Sequence, residues 1–573
     1  MIRTITARRP RALALTRSFC EGRSWQPGSS LSHQTSSNRR NFDGSLVGFD
    51  VHGKENIRPG MIDRPLFRRG GLERRFRNGK EAAELLASES HRRDPYSEHF
   101  LKVSKYVLDD LAPVFDRNPE YAWAAKHMLE PERIVTFRVP WVDDMSVPRI
   151  NRGWRIQYSS SLGPYIGGVT FSDSVTESSL KALAFDQIIQ SSLTGLQIGA
   201  ARGGSDFSPA GKSSAEIRAF CRSFMVGLAP YIGPQRDVPI GDIGCGEREI
   251  GFMYGRYKRM TGESNAAMGG KVIGWGNDYD PSHVQAGSRP MNREVATGKG
   301  LVRCLSLSLS LSVCLFANVF ILVFTIQQQQ VRLAKMTLEN KGETLEGKKC
   351  LISGSGNIAL ETARQLIEAG ATPLTLSDDA GYVFEKTGFT EEMLSKVDLA
   401  KTVNPKGYAR RMSEYVKYSS SARFFPRSTS TDVPSMWELP CDLVFACDRA
   451  QLIHSRDAKS LLENGCKGVF EGVMDRPTSP NAIGMFQMGD CSFLPGKAGA
   501  AGGLAVTGLM VTQLGAQNIS YNIETEFDKI VSHVYDRCVD ASEDYGMPGN
   551  MNAGANISAF VKVADAMFEQ GAV

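Results

Sequence analysis

The chain lacks CxxC pairs, although its 573 residues include 11 cysteines. Thiols scattered from Cys20 to Cys538 without metal-ligand spacing argue against a disulfide framework or a structural zinc site, and they favour a reducing compartment. A strong excess of one charge is also missing, since 67 basic residues face 62 acidic ones, so we expect no nucleic-acid-binding surface. With 42% hydrophobic and 23% charged residues, the composition excludes disordered and collagen-like chains and indicates a soluble protein of several domains.

Acidic residues are almost absent from the first 40 positions, where eight arginines face only Glu21. This stretch is rich in serine and has no long apolar run, which distinguishes it from a secretory signal. We predict an organelle transit peptide over about residues 1–45, mitochondrial or alternatively plastid. The other interpretation is a basic tail without a fixed structure.

Charged residues are also missing from Cys304 to Ile326, a stretch with Leu-Ser alternation that is followed by four glutamines. Its length would permit a membrane span. However, alternating Leu and Ser codons form a CT repeat, and a pyrimidine tract before CAG-like codons resembles the end of an intron. Removing residues 303–331 also leaves a continuous amphipathic helix with apolar residues at Leu333, Met336 and Leu338. We interpret 303–331 as an anomalous insert from a retained intron and expect no membrane contact; a membrane tether is the weaker alternative.

Helical and strand-like patterns follow one another in the first half of the chain. Apolar residues at three- and four-residue spacing predict helices from about Arg74 to Met128. From Arg133, the strand-like stretches RIVTFRVPWV and GWRIQYSSSLG precede a helix-like stretch, SSLKALAFDQIIQSSLTG. This order is typical of an α+β or α/β domain.

A strand, a glycine turn and a helix follow one another in KKCLISGSGNIALETARQLIEAG, which begins at Lys348. Residues Gly354 to Ala359 fit GxGxxA, where the first glycine makes the turn, the second admits a pyrophosphate and the small residue allows close helix packing. Asp378 ends the next strand-like stretch, where a carboxylate would meet a ribose. The later strands DLVFACD and KGVFEGV predict that a parallel sheet continues. We predict a Rossmann-type dinucleotide-binding domain; the alternative is a tight turn without a ligand.

Eight long phrases occur in one order from about Tyr121 to Val573: RINRGWRIQYSSSLGPYIGG, LKALAFDQ, GGSDFSPAGKS, DVPIGDIGCGEREIGFM, REVATGKG, ISGSGNIA, PGKAGAAGG and GANISAFVKVADAM. Together they resemble the hexameric glutamate dehydrogenases of the short-subunit type, within the Glu/Leu/Phe/Val dehydrogenase family. The leucine, phenylalanine and valine enzymes share the glycine turn but lack GGSDF and the last phrase. The chain is therefore identified as a member of the glutamate dehydrogenase branch.

The resemblance implies two α/β domains: a substrate-binding, dimerisation domain over 95–290 and an NAD(P)-binding Rossmann domain over 332–545. It also implies a C-terminal helix over 546–573 that packs on the substrate-binding domain. It also implies reversible oxidative deamination of L-glutamate to 2-oxoglutarate and ammonia, by a homo-hexamer or a mixed hexamer. The implied cofactor is NAD(P), leaning to NADP, although Asp379 stands where the family more often has a serine. An extra carboxylate there would repel a 2′-phosphate.

The resemblance also assigns roles to single residues. Asp242 in PIGDIG corresponds to the catalytic aspartate that carries a proton to and from the amino nitrogen, with a loop-capping carboxylate as the alternative. Gln187 corresponds to a substrate-side amide, and Thr507 replaces a substrate-binding serine. No metal is implied. The residues assigned to cofactor binding are Thr297, Gly354, Ser355, Gly356, Asn357, Ile358 and Asp378.

The three active-site lysines of the family are absent from this sequence. Ile166 replaces the lysine of GPYIGG, Gln190 replaces the second, and Arg202 replaces the catalytic lysine in IGAARGG. An aliphatic side chain cannot pair with a carboxylate, and a guanidinium stays protonated, so Arg202 cannot act as a neutral base. We expect impaired or altered catalysis; the alternative is an inactive homologue that binds nucleotide or serves as a regulatory or structural subunit of a hexamer.

Overall fold

The computed structural model describes residues 48–49, 55–56, 76–262, 329–402, 412–427, 434–448, 452–474, 476–505, 508–509 and 523–571. The chain divides into two compact units, Met1–Ile62 and Asp63–Val573. In the first unit, the described residues form an antiparallel pair of short strands, β1 (Gly48–Phe49) and β2 (Glu55–Asn56). The second unit contains every other element described below.

Four helices open the second unit: α1 (Gly79–Arg93), α2 (Glu98–Asp110), α3 (Ala112–Arg117) and α4 (Tyr121–Met128). The first begins where the side chain of Asn78 accepts a hydrogen bond from the Glu81 backbone N–H, a typical N-cap. Each helix turns apolar residues inwards, among them the fully buried Phe100 and Phe115. The helical stretch predicted from Arg74 to Met128 is thus present where it is described.

A five-stranded mixed sheet follows, in the order β3-β4-β6-β5-β7. Strand β4 is antiparallel to both β3 and β6, whereas β5 runs parallel to both β6 and β7. The strands are β3 (Arg133–Val142), β4 (Pro148–Ser159), β5 (Tyr165–Phe171), β6 (Ala200–Ser205) and β7 (Asp237–Gly241). The helices among them are α5 (Glu177–Thr194), α6 (Ser214–Leu228) and α7 (Glu247–Thr261).

The second half is built on a parallel sheet with the order β15-β14-β13-β8-β9. Helix α8 covers residues 329–339, and a three-stranded antiparallel sheet, β10-β11-β12, extends one edge. The other elements are β8 (Lys349–Ser353), α9 (Asn357–Glu368), β9 (Thr372–Pro373), β10 (Thr375–Asp378), β11 (Gly381–Glu385), α10 (Glu391–Thr402), β12 (Ala422–Pro426), β13 (Leu443–Ala446), α11 (Ser455–Glu463), β14 (Gly468–Glu471), α12 (Pro480–Met488), β15 (Ser492–Leu494) and α13 (Gly496–Gly499).

Two long helices end the chain, α14 (Ile523–Asp544) and α15 (Met551–Glu569), and they return to the first half. The ring of Phe560 lies edge-on to that of Phe115, with centroids 6.0 Å apart. The hydroxyl of Tyr121 donates to the Asp565 carboxylate over 2.6 Å. The last helix therefore packs against α3 and α4, more than 400 residues earlier in the sequence.

These two sheets confirm the predicted α/β class and the continuing parallel sheet. The strand after the glycine turn, however, is split in two. At the end of β8, two backbone N–H groups donate to side-chain hydroxyls instead of to a neighbouring strand. The Ile352 N–H donates to Thr375 Oγ1, and the Gly354 N–H donates to Ser377 Oγ. On its other side, β10 pairs antiparallel with β11.

Helix α8 begins within the segment that we assigned to the insert. The side chains of Gln329 and Gln330 are buried and donate to the carbonyl oxygens of Ala498 and Phe470 over 2.8 and 2.6 Å. Leu333 and Leu338 are buried as well, as the amphipathic pattern predicted. The last residues of 303–331 thus belong to a packed helix, whereas the Leu-Ser stretch lies outside the described residues. None of the described helices is both long and apolar enough to cross a membrane.

Candidate active site

Asp242 follows β7 at the carboxyl end of that strand. Its Oδ1 accepts the Ile243 N–H over 2.8 Å and its Oδ2 accepts the Thr170 hydroxyl over 3.2 Å. The guanidinium of Arg202, on β6, forms an ion pair with the same Oδ2. Asp242 is 27% exposed and Arg202 10%. The proposed proton carrier and the arginine that replaces the lysine are therefore direct partners.

Gly168 makes room for this pair. A Cβ atom at position 168 would lie 2.4 Å from Nη1 of Arg202 and 2.7 Å from Oδ2 of Asp242, closer than non-bonded atoms approach. Glycine at position 168, within strand β5, therefore leaves the space that the two side chains occupy.

All three substituted lysine positions contact the nucleotide-binding half of the chain. Ile166 is fully buried in an apolar cluster that includes Leu504. The Gln190 amide donates to the Ala500 carbonyl over 2.7 Å. Nη2 of Arg202 lies 3.3 Å from Sδ of Met474, just beyond the carboxyl end of β14. Side chains at the positions assigned to substrate binding thus join the two halves of the cleft.

Two buried donors in this region lack an acceptor within the described part of the chain. They are Nε2 of Gln187 and Nε of Arg202. A buried N–H without a partner costs about 1–3 kcal/mol, which a bound acceptor would recover. Each of these two donors is thus available to a bound acceptor, and the substrate-side role of Gln187 stays a prediction.

A buried ionic cluster links the halves, and the sequence did not reveal it. Asp186 on α5 receives a bidentate contact from Arg476 at 3.1 and 2.7 Å, and Nζ of Lys497 lies 3.2 Å away. Burial alone would raise the pKa of Asp186, but the two cations outweigh it and lower the pKa. Burial lowers the pKa of Lys497 to about 8. Lys497 also donates to Asn556 on α15 over 2.6 Å, so this cluster fixes the cleft instead of offering free cations.

Glu471 ends β14 as a fully enclosed carboxylate. It accepts the N–H of Gly496 over 2.8 Å and that of Thr478 over 3.1 Å. Burial raises its pKa to about 7, although the two N–H donors pull it back. The residue therefore ties the loop after β14 to the start of α13 and titrates near neutral pH.

This titration predicts a pH-dependent stability. Because the pKa of Glu471 is raised above its ordinary 4.5, its contribution is complete below pH 4.5 and is lost as the pH rises through 7. A difference of one unit between the pKa of a group in the folded chain and its pKa in the unfolded chain corresponds to about 1.4 kcal/mol of stability. We expect the Tm to fall more steeply between pH 5 and pH 8 in the unmodified protein than in Glu471→Gln. Parallel slopes in differential scanning fluorimetry would contradict this assignment.

The glycine turn has the geometry that a dinucleotide requires. Gly354 has φ of +90°, and an added Cβ would lie 2.9 Å from Cβ of Asp448. Around Gly356, which precedes α9, an added Cβ would meet nothing within 4 Å, and no side chain caps the helix. Open N–H groups at a helix start suit a pyrophosphate. Ser355 is buried and Ile358 is partly exposed beside them.

Asp378 lies at the end of β10, but its carboxylate is turned towards the backbone. Oδ1 accepts the N–H groups of Ala380 and Gly381 over 2.9 and 3.1 Å, and Oδ2 accepts that of Met412. Asp378 therefore stabilises the turn between β10 and β11, and its predicted contact with a ribose stays a prediction. Its neighbour Asp379 is exposed.

Some predicted site residues fall outside this description. Thr297 and Thr507 lie outside the described residues, and only the backbone of Asn357 is described. Within the described ranges, no group of three or more His, Cys, Asp or Glu side chains could hold a metal ion.

Comparisons with known proteins cover both halves. Residues 330–571 match the family model described as Glutamate/Leucine/Phenylalanine/Valine dehydrogenase, and residues 131–259 match its dimerisation domain. The chain is 39% identical over 495 residues to the NADP-specific glutamate dehydrogenase of Chlorella sorokiniana, covering 85% of this chain and 84% of that protein. It is 34% identical to the NADP-specific glutamate dehydrogenase of Escherichia coli, covering 86% and 98%.

The fold is similar to that of solved glutamate dehydrogenases. The crystal structure of the Plasmodium falciparum enzyme superposes with a TM-score of 0.73 at 34% identity, covering 86% of this chain and 94% of that one. The similarity in fold thus extends over most of both chains.

Proposed function

The chain belongs to the Glu/Leu/Phe/Val dehydrogenase family, and from that premise we propose that it is an NADP-dependent oxidoreductase of the glutamate dehydrogenase type. Its reaction is the reversible oxidative deamination of an L-amino acid to a 2-oxo acid and ammonia. L-Glutamate is the substrate of reference, and its turnover is slowed by the residues at positions 166, 190 and 202.

One observation carries this proposal. The pair Asp242–Arg202 meets the parallel sheet at Met474, beyond the carboxyl end of β14, and the turn at Gly354 follows the carboxyl end of β8 in the same sheet. In open α/β sheets, ligands bind at the carboxyl ends of the strands. A nucleotide on the glycine turn would thus share one edge with the proton carrier.

Different groups carry out different parts of the proposed reaction. A bound nicotinamide would accept or return the hydride of the substrate α-carbon. Asp242 moves a proton to and from the amino nitrogen, and the unsatisfied donors of Gln187 and Arg202 are available to oxygen atoms of the substrate. A guanidinium does not deprotonate in proteins, so Arg202 cannot activate water. The loss of this general base lowers the rate roughly 10²- to 10⁴-fold.

A second candidate function rests on the contacts across the cleft. Gln190 and Arg202 contact Ala500 and Met474 of the opposite half, and Ile166 shares an apolar cluster with Leu504. A protein locked in this way would bind nucleotide without turning over glutamate and would act as a regulatory or structural subunit.

A single assay separates the two candidates. The protein, freed of residues 1–45 and of the Leu-Ser stretch, is mixed at high concentration with NADP+ and single L-amino acids, and NADPH formation is followed spectrophotometrically. The oxidoreductase proposal expects slow formation that depends on the amino acid. NADPH binding without any such formation would overturn it in favour of the silent subunit.

We extend the proposal to the assembly and to the location. The match to a family dimerisation domain over 131–259 supports a homo-hexamer or a mixed hexamer, which sedimentation of the purified protein tests. The arginine-rich start supports import into mitochondria, or alternatively plastids, which a fluorescent fusion of residues 1–45 tests.

The cofactor preference gives a prediction for Asp379. An exposed carboxylate beside a 2′-phosphate costs about 0.2–1 kcal/mol. Asp379→Ser is therefore expected to tighten NADPH binding by about 1.4- to fivefold while NADH binding stays constant, as measured by fluorescence titration. The matched control is Asp144→Ser, which removes an exposed carboxylate from the first half of the chain. An equal change for both nucleotides would contradict the prediction.

A further inference from the structure

Three thiols gather at the amino ends of neighbouring strands in the parallel sheet. Cys441 precedes β13, Cys466 precedes β14 and Cys491 precedes β15. They are 6%, 5% and 4% exposed and belong to one apolar cluster. The next residues along the chain, Asp442, Lys467 and Ser492, are each more exposed than the cysteine before them. The thiols therefore lie just beneath the surface.

The strand register places two of these thiols side by side. Leu443 of β13 is paired with Gly468 of β14, and the Lys467 N–H still donates to the Asp442 carbonyl over 2.8 Å. Continued by one more residue, this register sets Cys441 opposite Cys466. Adjacent strands are about 4.8 Å apart, and disulfides join Cα atoms about 4.4–6.8 Å apart.

The thiols also interact with one another. The thiols of Cys441 and Cys491 act on Cys466 and lower its pKa, whereas the same interaction and burial raise the pKa of Cys441 and Cys491. Cys466 is thus the thiol that most readily becomes a thiolate, the form that attacks disulfides.

We propose that Cys441 and Cys466 form a reversible thiol–disulfide site that exchanges with low-molecular-weight disulfides. The Cys466 thiolate attacks a sulfur of the small disulfide, and one small thiolate leaves. Cys441 then gives its proton to the departing small thiolate and attacks the mixed disulfide at Cys466, which expels the second small thiolate. The two cysteines are oxidised by two electrons, the small disulfide is reduced to two thiols, and the two protons pass to the products.

This site is separate from the proposed nucleotide site. The strands are parallel, so their amino ends lie on the edge opposite the glycine turn, which follows the carboxyl end of β8. The bond would fasten β13 to β14 without touching Gly354. NADPH binding should therefore be the same in the reduced and oxidised forms.

The test uses the full chain and oxidised glutathione as the probe. After incubation, the protein is unfolded, its free thiols are alkylated, and digested peptides are examined by mass spectrometry before and after reduction. We expect a cross-linked peptide pair joining Cys441 and Cys466, which dithiothreitol resolves. Cys466→Ser and, separately, Cys441→Ser should abolish it. The matched control Cys538→Ser removes a buried thiol of α14 and should leave it intact.

Several results would overturn the proposal: both thiols alkylated after oxidation, glutathione retained on either cysteine, or thiol loss that persists in Cys466→Ser. Peptide mapping of the unmodified chain decides the matter even if a variant fails to fold. Parallel NADPH titrations separate this outcome from the proposed function, since neither result depends on the other.

Discussion

Replacing Ile166, Gln190 and Arg202 together by lysine is expected to raise glutamate-dependent NADP+ reduction by at least about 10²-fold. The change supplies cations for the substrate carboxylates and a base whose pKa can be tuned, and acid–base help alone contributes about 10²- to 10⁴-fold. It also removes the contacts to Leu504, Ala500 and Met474 that join the two halves. The measurement is the initial rate of NADPH formation at saturating glutamate.

Single replacements are expected to do little, because the carboxylate contacts and the base act as a unit. Arg202→Lys should act mainly on kcat and the other two on KM. The matched control replaces the same three residues by methionine, which has similar length and no charge. A triple-lysine protein that folds and binds NADPH but gains no rate would show that the three substitutions do not account for the impaired catalysis.

Asp242→Asn is expected to lower the amino-acid-dependent rate by about 10²- to 10⁴-fold in the triple-lysine protein. Asparagine keeps the size of the side chain and can still accept the Ile243 N–H, but it cannot carry a proton. NADPH affinity should not change, because the glycine turn is on another element. The rate is compared by stopped-flow with that of the parent.

The matched control is Asp173→Asn, an exposed carboxylate just beyond the carboxyl end of the neighbouring strand β5. It should leave the rate within about twofold. A loss of less than about threefold in Asp242→Asn would contradict the role of Asp242 as the proton carrier and favour the loop-capping alternative.

Local sequence patterns predicted much of the fold. RIVTFRVPWV is β3 from its first residue to its last, and the strand, turn and helix around Gly354 occur where GxGxxA predicted them. Such features are decided by residues close together in the chain, namely alternation, glycine turns and helix periodicity. Asp242 and Arg202, 40 positions apart, were assigned to one site by the family resemblance and not by a local pattern.

Features that depend on distant partners could not be predicted. The cluster of Asp186, Arg476 and Lys497 joins residues about 300 positions apart, and no local pattern marks them as partners. The burial of Gln330 was also unexpected, because a run of glutamines indicates a polar surface unless a carbonyl such as that of Phe470 faces it. Tertiary contacts outweighed local preference at both places.

The steady-state rate of NADPH oxidation with saturating 2-oxoglutarate and ammonium tests the central claim most directly. That claim is that the chain keeps the nucleotide-binding scaffold of its family while its three substitutions suppress glutamate chemistry. We predict a turnover below about 0.01 per second, two orders of magnitude under the lower end of the ordinary range of about 1 to 10³ per second. A turnover within that ordinary range would contradict the claim.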